Sequence, residues 1–314
     1  MHQQVRVGIV GVGKIARDQH IPSIAADARF ELVAAASRHA CADGVPTFLS
    51  LEQLLASGPT VDAIVICTPP QTHYELGRLA LRSGKHVLME KPPCTSLAQL
   101  AHLLQLASVH GVVLYQTWHS QMAAGVASAD HWLTERRIRR IRVTWKEDVR
   151  VWHPGQRWIW EPGGFGVFDP GINAVSIVTR LLREPLFTQS ATLYVPANCA
   201  TPIAAHVHIV SDSGIPVELD LDFRHTGTQT WDIELATDNG TLTLSRGGQD
   251  ASVDGTLLAP PSAPAGEYGA IYARFAELLA SGQSEVDCRP MQLVADVFLM
   301  GRQIVVEPFE DAVA

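Results

Sequence analysis

Residues 5–16 read VRVGIVGVGKIA, an apolar strand that runs into a glycine turn and then into a helical pattern. Gly11, Gly13 and Ala16 give the spacing GxGxxA. In such a turn the first glycine permits a sharp bend, the second lets the backbone approach a pyrophosphate, and the small third residue allows a helix to pack closely on a strand. A purely structural glycine turn does not require this strand–turn–helix context. The stretch therefore predicts a dinucleotide-binding unit, with the phosphates at the helix N-terminus.

Apolar runs and helical patterns alternate through the first 120 residues. Strand patterns also cover residues 31–37, 61–70, 86–93 and 112–119, and helical patterns cover residues 14–27, 51–57, 72–83 and 96–109. Strands that alternate with helices are typical of βαβ units and a parallel sheet. We therefore predict an α/β protein whose N-terminal Rossmann domain, a doubly wound parallel sheet, spans residues 1–120.

The second half of the chain has a different pattern. Residues 137–152, RIRRIRVTWKEDVRVW, alternate as a strand does, and residues 238–240, Asp-Asn-Gly, are a hairpin turn signal. Helical patterns cover residues 121–135, 170–183, 267–281 and 289–305. We predict a C-terminal α/β domain over residues 121–314, built on a large, open-faced, mostly antiparallel sheet. Because an open sheet leaves apolar strand faces uncovered, we expect a homodimer or a larger even oligomer through that sheet.

Composition excludes several classes of protein. Of the 314 residues, 46% are hydrophobic and 18% are charged, which suits a globular protein with a sizeable core. The net charge of −8 argues against nucleic acid or an anionic membrane surface as a partner. Five scattered cysteines without metal-ligand spacing predict no metal site and a reducing compartment. The sequence shows no signal-peptide pattern and no apolar stretch of ~18–20 residues, so we expect a cytoplasmic protein.

The end of the second strand bears on which nicotinamide cofactor is used. NAD-specific sites usually place an acidic residue there, on the ribose 2′-hydroxyl. This chain has Ser37, Arg38 and His39 instead. An arginine can hold a 2′-phosphate, so the sequence predicts use of both NAD and NADP, with NADP at least competitive. The alternative is that Arg38 covers the adenine or faces solvent.

Lys91 follows the fourth strand in the segment MEKPP, residues 89–93. Strand ends often carry surface lysines, but a lysine flanked by glutamate and proline at this edge of the sheet also suits a crevice. There its ammonium would lie beside a reacting oxygen. The sequence also places four of the seven tryptophans between residues 145 and 160, interleaved with polar residues. Aromatic faces beside polar groups suit a sugar, and the alternative is an aromatic core cluster.

Asp169 and Asn173 stand four residues apart in VFDPGIN, residues 167–173. One helical turn separates them, so both side chains would share a face. Helix punctuation accounts for part of the segment, because Asp169 is a fair N-cap and Pro170 suits the first helical position. Helix punctuation does not explain Asn173. The pair therefore favours a polar site at the start of an apolar helix.

Taken over its whole length, the chain resembles the glucose–fructose oxidoreductase / inositol dehydrogenase / MocA family. The resemblance lies in the GxGxxA turn, in LMEKPPCTSL, in TWHS and in the long segment WKEDVRVWHPGQRWIWEPGGFGVFDPGINAVSIVTR. Within the family it is greatest to members that oxidise L-arabinose at C1, and next to those that act on D-galactose. The resemblance implies a dehydrogenase of sugar catabolism that forms a sugar lactone with NAD or NADP. A non-catalytic NAD(P)-binding regulator is the alternative, but it has no need for Lys91, Asp169 and the tryptophan cluster together.

The family pattern at the polar site is D-x-G-x-H, and Asn173 stands here in place of the histidine. The resemblance implies that Asp169 is the proton acceptor, that Lys91 stabilises the developing oxyanion and that Asn173 orients the sugar. A second assignment makes Lys91 the base. The predicted sugar-binding residues are Lys91, His119, Glu147, His153, Asp169, Asn173 and Trp231. The predicted cofactor-binding residues are Gly11, Gly13, Lys14, Ile15, Ser37, Arg38, His39, Thr68, Pro69, Pro70, His73, Glu90 and Lys91.

Overall fold

A computed structural model describes residues 4–259 and 266–310. The chain divides into two compact units. The first unit runs to His119 and includes a later segment that ends at Cys288. The second unit begins at Ser120 and takes up the chain again from Arg289.

The helices and strands follow one another from Val5 to Val306. The strands are β1 (Val5–Val10), β2 (Phe30–Ala36), β3 (Thr47–Phe48), β4 (Ala63–Ile66), β5 (His86–Met89), β6 (Leu114–Gln116), β7 (Ile138–Lys146), β8 (Leu186–Pro196), β9 (Ala204–Ser211), β10 (Pro216–Asp222), β11 (Thr230–Thr237), β12 (Thr241–Ser245), β13 (Asp250–Val253), β14 (Thr256–Leu257) and β15 (Arg302–Val306). The α-helices are α1 (Ile21–Ala26), α2 (Leu51–Ser57), α3 (Pro70–Arg82), α4 (Leu97–His110), α5 (Ala124–Leu133), α6 (Val149–Trp152), α7 (Phe168–Leu182), α8 (Gly266–Ser281) and α9 (Arg289–Met300).

The first unit is built on a six-stranded sheet in the order β3-β2-β1-β4-β5-β6, with every neighbouring pair parallel. All four residues of β4 are fully buried, so this strand is covered on both faces of the sheet. The strand order reverses between β1 and β4, and the crevice outside the carboxyl ends of these strands is where a doubly wound sheet binds ligands. The predicted Rossmann fold is confirmed.

Helix α8 belongs to the first unit, although it follows most of the second unit in sequence. Its buried face contacts the first sheet: the ring of Tyr272 lies 5.2 Å from that of Phe30, and the ring of Phe275 stacks 6.2 Å from that of Tyr115. The predicted C-terminal domain over residues 121–314 is corrected in this respect, because these aromatic side chains are buried against residues near the start of the chain.

The second unit contains a nine-stranded sheet in the order β14-β13-β12-β11-β7-β10-β9-β8-β15. Its pairs are antiparallel except for β7 with β10 and β8 with β15, which confirms the mostly antiparallel prediction. The Asp-Asn-Gly segment joins β11 to β12, with Gly240 at φ +99°, as predicted for a hairpin. Helices α5, α7 and α9 contact strands of this sheet.

The other face of the nine-stranded sheet is charged. Along β7, Ile141, Val143 and Trp145 are buried, and Arg140 and Arg142, which alternate with them, are exposed. The neighbouring strand supplies acids, and Arg142 Nη2 lies 3.2 Å from Glu218 Oε2. Cross-strand pairing of opposite charges satisfies this face without apolar cover. The expectation that the open sheet leaves apolar side chains uncovered is therefore wrong for β7 and β10, whereas Phe187 on β8 and Val305 on β15 are exposed, at 52% and 73%.

Two element boundaries also differ from the predictions. The helix predicted over residues 289–305 ends at Met300, and Arg302–Val306 form β15, which pairs in parallel with β8. Gly301 follows the helix, and the β-branched residues after it favour a strand. Helix α7 begins at Phe168 with Val167 in the N-cap position, so Asp169 lies inside the first turn and is not the N-cap.

Candidate functional site

The glycine turn after β1 has the geometry that a dinucleotide requires. Gly11 adopts φ +88°, and a Cβ there would lie 2.8 Å from Thr68 Cγ2, so only glycine fits. At Gly13 an added Cβ would meet no atom within 4 Å, which leaves the backbone open on that side. Ala16 is fully buried and begins a π-helical turn that leads into α1. These residues fit a bound pyrophosphate at the start of a helix.

The segment after β2 places the predicted ribose-binding residues at the same edge of the sheet. Ser37 donates its backbone N–H to Phe48 O, and its hydroxyl accepts the backbone N–H of His39. Arg38 and His39 are exposed. Within the described chain Arg38 has no carboxylate partner, so its guanidinium is available for a phosphate.

His73, predicted to contact the cofactor, is fully buried and contacts backbone instead. Its Nε2 lies 2.6 Å from Thr68 O, and its Nδ1 lies 3.3 Å from Pro93 O. Burial lowers the pKa of the imidazole, so the ring is neutral and Nε2 donates to Thr68. His73 therefore connects the turn after β4 to the segment after β5, and a contact of His73 with the cofactor stays a prediction, as for its neighbours Thr68, Pro69 and Pro70.

Glu90, also predicted to contact the cofactor, is committed to protein contacts. It is 4% exposed and follows β5 directly. Its Oε1 lies 3.0 Å from His20 Nε2 and 2.9 Å from the Tyr268 hydroxyl, and its Oε2 accepts the backbone N–H of Lys91 at 3.1 Å. The Glu90 carboxylate therefore fixes the backbone of Lys91, and a contact of Glu90 with the cofactor stays a prediction.

His119 is the other predicted sugar-binding residue of the first unit. Its Nδ1 lies 2.7 Å from Glu267 Oε2, and its ring stacks on that of Tyr268 with centroids 5.7 Å apart. A carboxylate on one ring nitrogen fixes the tautomer and the orientation of an imidazole. Glu267 therefore orients the His119 ring, and it was not among the residues predicted from the sequence.

In the second unit, helix α7 carries Asp169 and Asn173. Most of the helix is buried, and Asp169 is only 4% exposed. A Cβ on Gly171 would lie 2.8 Å from Leu221 Cδ1, so the glycine allows α7 to lie close to β10. Asn173 is half-buried one turn after Asp169, as the spacing predicts.

Glu147 connects two of the other predicted sugar-binding residues of this unit. It is 1% exposed, its Oε2 accepts the indole N–H of Trp231 at 2.7 Å, and its Oε1 lies 3.1 Å from His153 Nε2. Both oxygens therefore orient ring nitrogens. A direct contact of Glu147 with a sugar stays a prediction.

His153 turns its second ring nitrogen towards Asp169. Nδ1 is buried and makes no hydrogen bond to any residue that the structure describes, and it lies 3.9 Å from Asp169 Oδ2. That separation is too long for a hydrogen bond. A buried polar atom without a protein partner is costly, so His153 Nδ1 is a candidate contact for a polar group of a ligand.

The tryptophan cluster lies beside Glu147. The rings of Trp145 and Trp231 stack with centroids 5.9 Å apart, and the ring of Trp152 meets Trp231 edge-on at 4.7 Å. Trp145 is buried in the core of the unit, whereas Trp152 is 42% exposed. Trp145 is thus a core residue, whereas Trp152 and Trp231 offer aromatic surface, and a contact of that surface with a sugar stays a prediction.

The residues that the sequence analysis missed are those that surround Glu90. His20, Tyr268 and Tyr272 are buried, and Tyr272 shares a hydrogen bond of 3.0 Å with His20 Nδ1. A histidine and two tyrosines inside apolar helical patterns were the available signal, because buried polar tips of this kind need partners. Glu90, the partner of His20 and Tyr268, directly follows a strand that is distant in sequence, which no local pattern indicates.

The structure also tests for membrane spans and metal clusters. Over residues 4–259 and 266–310, no helix combines the length and the apolar character needed to cross a bilayer. Over the same ranges, no group of three or more His, Cys, Asp or Glu side chains is arranged to hold a metal ion.

Comparison with known proteins agrees with this geometry. Residues 5–117 match the GFO_IDH_MocA family, described as an oxidoreductase family with an NAD-binding Rossmann fold. A galactose 1-dehydrogenase of Pseudomonas fluorescens is 45% identical over 313 residues, which cover 98% of this chain and 100% of the relative. The crystal structure of a D-galactose-1-dehydrogenase from Rhizobium etli is 47% identical, covers 99% of each chain and superimposes with a TM-score of 0.93.

More distant structures share the fold alone. A 3-ketoreductase from Actinomadura kijaniata, solved with TDP-benzene and NADP, is 22% identical, and the match covers 97% of this chain and 100% of the other, with a TM-score of 0.83. The doubly wound sheet and the open glycine turn are those of a dinucleotide-binding Rossmann domain. The chain belongs to the GFO/IDH/MocA family of oxidoreductases, as its motifs predicted.

Proposed function

We propose that this protein is an aldose 1-dehydrogenase that oxidises L-arabinose at C1 to the lactone, and that it also accepts D-galactose or related sugars. In this reaction the C1 hydroxyl loses a proton, C1 loses a hydride and a C=O bond forms. NAD(P)⁺, when bound, accepts the hydride. The glycine turn at Gly11 and Gly13 would hold its pyrophosphate.

The chain's own residues would supply the proton transfer and the charge stabilisation. Asp169 takes the proton of the C1 hydroxyl, directly or through water. Lys91 stabilises the negative charge that develops on that oxygen. Asn173, His153 and His119 bind the other hydroxyls, and Trp231 gives an aromatic surface to the sugar ring.

The observation that carries the proposal is the pair formed by His153 and Asp169. A buried Nδ1 without a hydrogen bond in the described chain faces a buried carboxylate at 3.9 Å. Glu147 fixes the ring from the other side, so the pair is held ready for a hydroxyl-bearing ligand. A regulator that only senses NAD(P) has no use for such a pair.

The second candidate has D-galactose as the main substrate. The relatives from Pseudomonas fluorescens and Rhizobium etli, whose names state activity on galactose, favour it. L-Arabinopyranose and D-galactopyranose have the same arrangement at C2, C3 and C4 and differ by the hydroxymethyl group on C5. A site that contacts only the hydroxyl groups at C2, C3 and C4 accepts both sugars. The space beside C5 then decides which sugar is preferred.

A sugar panel tests the proposal and separates the two candidates. The purified protein is mixed with NADP⁺ or NAD⁺ and with L-arabinose, D-galactose, D-fucose or D-glucose, the last being the C4 epimer of D-galactose. Appearance of the reduced-nicotinamide band with a lactone product supports the function, and the highest kcat/KM identifies the main sugar. No turnover with any aldose would refute it.

Arg38→Ala is expected to weaken NADP much more than NAD. The guanidinium lies beyond the end of β2, where it can pair with a 2′-phosphate that NAD lacks. We expect KM for NADP⁺ to rise by about tenfold or more, the effect of losing a charge-assisted hydrogen bond, with KM for NAD⁺ nearly unchanged. Arg82→Ala, an exposed arginine at the end of α3, is the control. Equal losses for both cofactors would show that Arg38 does not contact the 2′-phosphate.

We also propose that the protein forms a homodimer, or a larger even oligomer, through the charged face of the nine-stranded sheet. Rows of basic residues on β7 and acidic residues on β10 can pair with a second copy. Light scattering at micromolar concentration should give an even multiple of the chain mass. Because the pairing is ionic, Arg142→Glu should shift the mass towards the monomer, whereas Arg78→Glu on α3 should not. A wild-type monomer would contradict the proposal.

A further inference from the structure

We propose that His20 and Tyr268 are positioning residues for the reaction: they hold the Glu90 carboxylate on the backbone N–H of Lys91, which fixes the point from which the Lys91 side chain starts. The proposal rests on the proposed function, since it assumes that Lys91 acts on the sugar. It assigns a task to a buried network that the proposed roles of Lys91 and Asp169 leave unexplained.

The contacts at Glu90 divide between its two oxygens. Oε1 receives His20 Nε2 at 3.0 Å and the Tyr268 hydroxyl at 2.9 Å, and Oε2 receives the Lys91 N–H at 3.1 Å. His20 is fully buried, and Glu90 and Tyr268 are each 4% exposed. Two side chains therefore set the plane of the carboxylate, and that plane sets the direction of its bond to Lys91.

The carboxylate is ionised and needs these donors. Burial alone would raise the pKa of Glu90, but the hydrogen bond and charge of His20, the charge of His119 and the Tyr268 hydroxyl together lower it to about 2. An ionised carboxylate only accepts hydrogen bonds, so His20 Nε2 and Tyr268 must donate. Burial and the charge of Glu90 raise the pKa of Tyr268 well above its ordinary value, which keeps its hydroxyl a donor.

A second layer of contacts holds the two donors. The Tyr272 hydroxyl lies 3.0 Å from His20 Nδ1, and the His20 ring meets the Tyr268 ring edge-on with centroids 4.9 Å apart. Both tyrosines lie on α8, one turn apart. Helix α8, which belongs to the first unit although it comes late in the sequence, therefore places side chains around the residue before Lys91.

The competing reading is that the network only stabilises the fold. A stabilising network predicts a lower melting temperature on mutation and a normal kcat for the folded protein. A positioning network predicts a lower kcat, an unchanged KM and a disturbed Lys91 amide in a protein that still folds. One set of variants therefore distinguishes a stabilising network from a positioning network.

The test compares Tyr268→Phe with Tyr74→Phe. Tyr74 also bonds a histidine in the first unit, with its hydroxyl 2.8 Å from His102 Nδ1, but it lies on the contact between α3 and α4. We expect Tyr268→Phe to lower kcat by about tenfold, the effect of losing one hydrogen bond to a charged group. KM for sugar and cofactor should not change, and the isotope effect with C1-deuterated sugar should increase because hydride transfer becomes slower. Tyr74→Phe should keep the wild-type kcat.

A second measurement does not depend on turnover. The chain has four lysines, so a sample labelled with ¹⁵N-lysine gives four backbone amide signals, and Lys91→Arg identifies that of Lys91. In the proposed network Tyr268→Phe and Glu90→Gln both move the Lys91 signal, whereas Tyr74→Phe does not. If Tyr268→Phe does not fold, Tyr272→Phe removes a bond from the second layer and should show the same changes at smaller size.

The outcomes distinguish this role from the function on which it rests. An active wild type, together with a Tyr268→Phe variant that keeps the wild-type kcat, isotope effect and Lys91 signal, overturns the positioning role and leaves the proposed function intact. A wild type that oxidises no aldose overturns the proposed function and the role together.

Discussion

Asp169→Ala is expected to lower kcat by about 10²–10⁴, the usual range for a lost general acid or base. Asp169 is nearly fully buried, and its Oδ2 faces His153 Nδ1 at 3.9 Å. Glu147, the other carboxylate that contacts His153, is not placed to replace it, because its oxygens accept the N–H groups of Trp231 and His153. Steady-state kinetics with saturating sugar and cofactor measure the loss.

Two further measurements test whether Asp169 acts as a base. Formate added to Asp169→Ala should restore part of the turnover, because a small carboxylate can occupy the space and accept the proton. Asp169→Asn keeps the size and the hydrogen bonding of the side chain but cannot accept a proton, so it should be as slow as the alanine variant. Asp130→Asn, which removes a carboxylate of the same unit that pairs with Arg183, is the control. Near-normal kcat for Asp169→Asn would transfer the role of base to another residue.

Local sequence patterns were sufficient to predict the helices and strands of the first unit and many of those of the second. Each βα unit repeats its apolar period over a short stretch, and the glycine turn and the hairpin at residues 238–240 need only their own neighbours. The polar pair on α7 was also predictable, because Asp169 and Asn173 lie one helical turn apart. Such features depend on residues close together in sequence.

Features that depend on distant residues were not predictable in the same way. Helix α8 has an ordinary amphipathic pattern, and nothing in it indicates that Tyr268 donates a hydrogen bond to Glu90. Glu90 itself looked like part of a cofactor site because it stands beside Lys91. Whether a polar side chain faces a crevice or a buried partner depends on tertiary packing, which is why the role of Glu90 needed the structure.

The charged face of the second sheet was predictable from the sequence, but the prediction did not use the alternation of charged and apolar residues. Along β7 the residues RIRRIRVTWK alternate charged and apolar side chains. An alternating strand has one face for the core and one for water, so an open sheet of such strands exposes its charged face. The inference from an open sheet to an apolar surface ignored that period.

Lys91→Ala is expected to lower kcat by about 10²–10³, the effect of removing one donor that stabilises a developing oxyanion. Lys91 follows β5, and its backbone N–H is held by Glu90 Oε2 at 3.1 Å, so its side chain starts from a fixed position at the carboxyl edge of the sheet. Lys91→Met should be equally slow, because it keeps the aliphatic length and lacks the charge. Lys85→Met is the matched control: it removes a lysine next to the amino end of the same strand, on the opposite edge of the sheet.

Rescue of Lys91→Ala by small amines separates the two roles open to this lysine. If the ammonium only stabilises the oxyanion, turnover should return with any small amine that is charged, with little dependence on its basicity. If Lys91 is the base, the rescued rate should rise with the basicity of the amine, because proton transfer follows a Brønsted relation. The first result together with a slow Asp169→Asn variant supports Asp169 as the base. The second result together with substantial turnover of Asp169→Asn would exchange the two roles, with Lys91 taking the proton of the C1 hydroxyl and Asp169 holding the sugar.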